Sequence, residues 1–217
     1  MNRVKRVLSS KQIVTFVWVI GLIMAWEIGA TVVQQTKRTP EYVLPHIYQI
    51  IDSVFSPNLV NGSQTAAQIV LSNAAVTLVR AGIGFIIGSV IGFVLALLMN
   101  MFLPVEKIAF PYLMIIQMIP ILGMAPIILA ITKDIDKSRI VIAAILTFYP
   151  VATNTLAGFK AVEKEKLELM YSLAAKKADV YKKLFIPSSI PYFFTGLKIS
   201  APMAITASIM VDTLQGG

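Results

Sequence analysis

Five long apolar runs separated by short polar segments set the pattern of this chain. The first, Ile13–Val33, holds a single charge, Glu27; the second, Ala74–Met99, is rich in glycine and carries Arg80 near its start. The third, Ile108–Ile131, has no charge but contains Pro111, Pro120 and Pro126. Ile140–Phe159 includes Pro150 and Asn154, and Pro191–Val211 carries Lys198 near its start and Pro202 within it. A helix rising about 1.5 Å per residue crosses the roughly 30 Å hydrocarbon core in about 20 residues, so every run is long enough. The pattern predicts an all-α, polytopic membrane helix bundle with five spans. Arg3, Lys5 and Arg6 precede the first run as they would in a signal peptide. Its apolar core is longer than a signal h-region, however, and no small-residue cleavage site clearly follows, so it is expected to remain as an anchor.

Composition agrees with the pattern. The chain of 217 residues is 57% hydrophobic and 14% charged, with a mean hydropathy of +0.77, against about 45–50% and about 25% in soluble domains. It has no cysteine, which excludes disulfides and thiolate metal sites. Net charge is +8, but aromatic residues rarely interleave the basic ones, so membrane orientation explains the charge and nucleic acid is not an expected partner. With the N-terminus in the cytoplasm, the inner segments hold Arg3, Lys5, Arg6, Lys11, Lys107 and the eight lysines of 160–198, thirteen in all. The outer segments hold five: Lys37, Arg38, Lys133, Lys137 and Arg139. The positive-inside rule therefore predicts a multi-pass protein of the cell membrane with a cytoplasmic N-terminus. An odd number of spans leaves Leu214-Gln215-Gly216-Gly217 outside, and a sixth span returning to the cytoplasm is expected beyond it. Two regions follow: 1–73, with the tail, first span and external segment, and 74–217, the main membrane domain. In the external segment, Glu41–Phe55 reads as an amphipathic helix broken by Pro45, and Asn61-Gly62-Ser63 as a turn. His46 stands alone there, a surface or interfacial side chain rather than a ligand.

The stretch from Lys160 to Lys198 carries most of the functional signal, with eight lysines and four acidic residues between apolar runs. Two short helices are predicted, Val162–Ala175 and Asp179–Ile186, the second N-capped by Asp179 and ended by Pro187. Such a lysine-flanked knob suits a groove in a soluble partner; a helix pair lying on anionic lipid is the alternative. Glu168-Leu169-Met170-Tyr171-Ser172-Leu173-Ala174, nine residues, then Leu184-Phe185-Ile186-Pro187 resembles the EAA loop of binding-protein-dependent ABC importer permeases. Glu168 and Pro187 fit its two ends. Leu169 and Met170 replace the paired alanines, and Ala174 replaces a glycine that bends the loop; alanine is the mildest change for packing but disfavours positive φ. Thr77–Phe85, Ile119–Pro126 and Ile186–Lys198 resemble the nitrate/sulfonate/taurine-type subgroup of the same family.

The resemblance implies a type I ABC importer permease fold, with a cytoplasmic coupling loop at 160–190 that includes Glu168, Leu169, Met170, Ala174, Asp179, Leu184, Ile186 and Pro187. It implies as partners a cytoplasmic ABC ATPase, an external solute-binding protein and a second permease copy, most simply as a homodimer in the lipid bilayer. No Gly-x4-Gly-Lys-Ser/Thr loop is present, so ATP hydrolysis falls to a partner. No catalytic residues, metal site or cofactor are expected. Gln117, Pro120, Pro126 and Asn154 are the candidates for a solute pathway, being polar groups or helix breaks inside spans. Glycines 82, 84, 88 and 92 suit close helix packing. A secondary transporter or channel is the competing class, but it would want ionisable residues at mid-span, and only Glu27 approaches that. A membrane enzyme would need a catalytic cluster that the sequence lacks.

Overall fold

The computed structural model describes residues 11–37, 39–40, 43–60 and 62–214. Arg3, Lys5, Arg6, Arg38, Glu41, Asn61 and the terminal Gln215–Gly217 lie outside the described residues, as does any turn at the final glycines. The described chain is helical, with one isolated antiparallel bridge between Leu59 and Thr65. It divides into two units, Met1–Ser72 and Asn73–Gly217.

In the first unit, helix α1 (Lys11–Thr36) is apolar on every face, and Ala30 is its one buried residue among those described. Helix α2 covers Ile47–Phe55 rather than the longer Glu41–Phe55 stretch. Pro45 has no N–H to donate, and His46 is extended at φ −65°, ψ 149°, so the helix can begin only after them. His46 is not a surface side chain. It is 13% exposed and lies against Glu27.

In the second unit the main elements are α3 (Ala66–Met101), α4 (Leu103–Met118), α5 (Ile121–Thr132) and α6 (Ile135–Lys160). The expected third span is not one helix. The axes of α4 and of Gly123–Thr132 in α5 differ by 110°. Ile119 and Pro120 are extended at the break, with ψ of 123° and 130°. Pro120 supplies no N–H and pushes the residue before it out of the helical region, which explains the bend. Pro111 and Pro126 stay inside their helices. By length and composition α1, α3, α6 and the run Lys177–Val211 can each cross a membrane, and the bent α4–α5 pair makes a fifth span if counted once.

The three long helices of the second unit approach closely where their side chains are smallest. A Cβ on Gly84, Gly88 or Gly92 would stand 2.6, 2.5 or 2.7 Å from the nearest atoms of α6, including backbone oxygens of Ile140, Ala144 and Phe148. Gly158 and Gly196 do the same between α6 and the last helix, α9 (Ile186–Leu214). Lipid supplies no hydrophobic drive between helices, so this close backbone packing takes its place. A Cβ on Gly82 would meet no neighbouring atom within 4 Å, so this glycine takes no part in the crossing. Towards the Lys160 end a cluster of Ala96, Met99, Leu113, Ala152, Leu156 and Phe159 fills the space.

The segment after α6 departs from expectation in three ways. Its first helix, α7, is Lys164–Ser172. The second begins earlier, at Lys177 (α8, Lys177–Val180), and its N-cap is Lys176, so Asp179 lies within the first turn and does not cap it. Nor does Pro187 end the helix. A π-helical turn, Tyr181–Phe185, runs directly into α9, which contains Pro187 and Pro191. The Ile186 N–H reaches back to the Tyr181 carbonyl. The wider turn changes the hydrogen-bond register just before a residue that cannot donate, and the chain passes the proline without breaking.

Candidate functional site: a cavity and a coupling segment

A cavity of about 310 Å³ opens among the middle of α6, the end of α4 and α9. Ile116, Ile145, Leu146, Ile199 and Met203 give it apolar walls, and Gln117, Tyr149, Thr153 and Asn154 bring polar groups. No residue lining it is charged. Pro150 also lines it and has no N–H, so the Leu146 carbonyl loses its usual helical donor at the cavity wall. Thr153 Oγ1 donates to the Tyr149 carbonyl at 3.0 Å, and Asn154 Nδ2 to the Pro150 carbonyl at 2.7 Å. These bonds leave the Asn154 amide oxygen to accept. The fold thus brings Gln117 and Asn154 to one cavity. It does not bring Pro120 or Pro126 there; Pro120 instead makes the break beside Ile119, which does line it. Tyr149 and Thr153 escaped the sequence reasoning, although their i, i+4 spacing on α6 was available.

At the other end of α6, helix α7 has no buried residue. Leu169, Tyr171 and Leu173 are 60%, 52% and 71% exposed, Glu168 is exposed, and Met170 is half-buried. Its C-terminus closes as a Schellman motif: the Ala175 N–H donates to the Met170 carbonyl (3.1 Å) and the Ala174 N–H to that of Tyr171 (2.9 Å). Ala174 accordingly sits at φ +54°, the left-handed region that favours glycine. Alanine keeps the bend, at a conformational cost. Asp179 pairs with Lys183 at 3.7 Å. Leu184 and Ile186 are half-buried and Pro187 is exposed. Phe185 and Ile186 pack on the Ala96–Phe159 cluster, and Val180 is 1% exposed. Asn100 Nδ2 donates to the Tyr181 hydroxyl at 3.2 Å, tying the end of α3 to the π-turn. The segment therefore joins an exposed, charged helix bearing apolar side chains to a buried base.

Residues 84–217 match the family described as binding-protein-dependent transport system inner membrane component. The chain belongs to this family. Among its relatives, the formylaminopyrimidine transport permease protein ThiX of Halalkalibacterium halodurans is 30% identical, over 89% of this chain and 72% of that protein. The nitrate import permease protein NrtB of Synechocystis is 26% identical, over 100% of this chain and 77% of that one. A crystal structure of an amino acid ABC transporter with histidines matches with a TM-score of 0.57 at 22% identity, covering 69% of this chain and 75% of that one; this likeness bears on the fold. The protein is a transmembrane permease subunit of an ABC importer with the type I membrane fold, and a separate transporter class is not favoured.

Two polar clusters in this permease subunit were not foreseen. Arg80 donates to Asp136 Oδ2 at 2.8 Å, and Arg139 donates to the other oxygen at 2.9 Å. Next to them Asp134 caps α6, accepting from the Lys137 and Asp136 amides at 3.0 and 2.9 Å. The Lys137 amide, foremost among these contacts, holds the Asp134 carboxyl below its ordinary value of 3.8. Glu27 pairs not with another span but with His46, 2.6 Å away. Arg80 and Asp136, and Glu27 and His46, lie far apart in sequence, which is why no local pattern announces those two pairs.

Proposed function

We propose that the cavity around Gln117 and Asn154 is part of the solute pathway and that the Glu168–Pro187 segment receives the ATPase. The single observation that carries the second assignment is helix α7, whose Leu169, Tyr171 and Leu173 remain exposed among lysines while the segment behind it is buried. A partner's groove would cover that face. Force applied to α7 would pass through the left-handed bend at Ala174 to Val180, Phe185 and Ile186, and so into the α3–α6–α9 core. Alternating access follows if the core pivots. ATP hydrolysis belongs to the partner, an external binding protein delivers the solute, and a second copy of the subunit completes the pore. The N-terminus and α7 lie in the cytoplasm. The region 74–217 acts as the permease domain.

The cavity favours a neutral solute with hydrogen-bond donors and acceptors. Gln117 offers both, and the Tyr149 hydroxyl, which donates to Met114 Sδ at 3.7 Å, the Leu146 carbonyl and the Asn154 amide oxygen can accept, while no cation stands ready for an anion. Among the solutes named for relatives, a formylaminopyrimidine and riboflavin fit this better than nitrate or bicarbonate. Leu173→Asp should abolish copurification of the ATPase subunit while leaving membrane insertion intact. Gln117→Leu and Asn154→Leu should preserve the complex but depress uptake. Copurification of a full complex with Leu173→Asp would refute the docking assignment, and unchanged uptake by both cavity variants would refute the pathway.

A further inference from the structure

The chain that leaves α1 at Thr36 does not stay outside the level of that helix; it folds back along it. A Cβ on Gly29 would stand 3.2 Å from Leu44 Cδ2. Trp26 Nε1 donates to the Pro45 carbonyl at 3.0 Å, and the Ile47 N–H donates to Glu27 Oε1 at 2.9 Å. The His46 ring bridges the other Glu27 oxygen (2.6 Å) and Gln34 Oε1 (3.0 Å). Ala30 is buried at the same level.

These contacts fix a depth. Glu27 lies nine residues before Thr36, about 13 Å down the helix axis. The span Ile13–Thr36 has 24 residues, about 36 Å, which overhangs the roughly 30 Å hydrocarbon core by about 3 Å at each end. The start of α2 is therefore pinned between the boundary at which α1 leaves the membrane, the level of Gln34, and about 10 Å inside it, the level of Glu27. Water is scarce at that depth, and a helix beginning there needs its first amides and any polar side chain satisfied internally. Glu27, His46 and Gln34 do this for one another and for Ile47. On α2 itself Tyr48, Ile51 and Phe55 share one face and are 63%, 54% and 78% exposed, whereas Gln49 and Ser53 lie towards the other side and Asp52 sits on the border, one turn from Tyr48 and Phe55. On α1, Trp18, Leu22 and Ile28 are also exposed.

We propose that α2 is a membrane-embedded helix of the leaflet at which α1 exits, with Tyr48, Ile51 and Phe55 against lipid acyl chains, Asp52 at the edge of that face and Ser53 towards headgroups and water. The sequence alone places this stretch in an extramembrane segment. The occupant of the apolar face is lipid, because its contacts hold α2 within the level of a helix apolar enough to cross the membrane.

The chain has no cysteine, so single spin labels at Ile51→Cys, Phe55→Cys, Asp52→Cys and Ser53→Cys report without background. The full chain is reconstituted in phosphatidylethanolamine–phosphatidylglycerol vesicles, and collision rates with oxygen and with a water-soluble nickel chelate are compared. Labels at 51 and 55 should favour oxygen several-fold over the chelate, the label at 53 the reverse, and the label at 52, on the border of the face, an intermediate ratio. Two outcomes would overturn the proposal: equal chelate access at all four sites, which means water, or shielding of 51 and 55 from both reagents, which means a protein partner. Failure of the ATPase or pathway assignments would leave these labels unaffected.

Discussion

Replacing Gly88 by alanine tests the close-packed helix pair at its tightest point. The added Cβ would meet the Ala144 carbonyl oxygen at 2.5 Å and Thr147 Cβ at 2.7 Å. Normal contacts start about 0.7–0.9 Å further out, and the opposing oxygen belongs to the α6 backbone, so it cannot turn aside as a flexible side chain can. The helices must separate or the methyl group must be strained, at a cost of about 1–3 kcal/mol. Glycine-to-alanine also gains about 1 kcal/mol of helix propensity, which masks part of that loss. Gly82→Ala removes the ambiguity. It lies on the same helix, gains the same propensity, and meets no atom within 4 Å. The difference between the two variants therefore isolates packing, and Gly82→Ala should be the more stable by about 1–3 kcal/mol, several degrees in midpoint. A convenient reporter is a cysteine at Ala152, which is 0% exposed, because thiol dyes reach it only on unfolding and the chain has no other thiol. Equal midpoints for the two variants would refute the glycine account of this interface.

Three further predictions rest on other elements. Ala174→Gly should relieve the left-handed strain by about 1 kcal/mol and raise the hydrogen-exchange protection of the Ala174 and Ala175 amides about fivefold; lower protection would contradict the Schellman geometry. Thr155 buries a hydroxyl with no hydrogen-bond partner among the described residues, so Thr155→Val should stabilise the bundle by about 1 kcal/mol in the same thermal assay, and a loss of stability would show that the hydroxyl is satisfied. The lowered pKa of Asp134 means that its contribution is complete above 3.8 and disappears as pH falls through the lower folded value. The stability gap between the native chain and Asp134→Asn should thus be constant near neutrality and narrow in acid below 3.8; a gap that widens there would reverse the sign.

Much of this subunit follows from the order of its residues. Runs of apolar side chains long enough to cross a bilayer dictate helices, because lipid leaves backbone amides no partner but their own chain. The four-residue spacing of Gly84, Gly88 and Gly92 announces a close crossing, though only packing names α6 as the opposite face and leaves Gly82 out. The Glu168–Pro187 pattern is legible as a motif, since its spacing survives even where its letters have changed. The tertiary structure decides what depends on geometry across long separations. Proline marks a place where one hydrogen bond is missing, but neighbours determine whether the chain turns, as at Pro120, or absorbs the gap in a π-turn, as at Pro187. Likewise Glu27 and His46, or Arg80 and Asp136, are unremarkable as single polar residues in the sequence. They become pairs only because folding brings residues 19 and 56 positions apart within hydrogen-bonding distance.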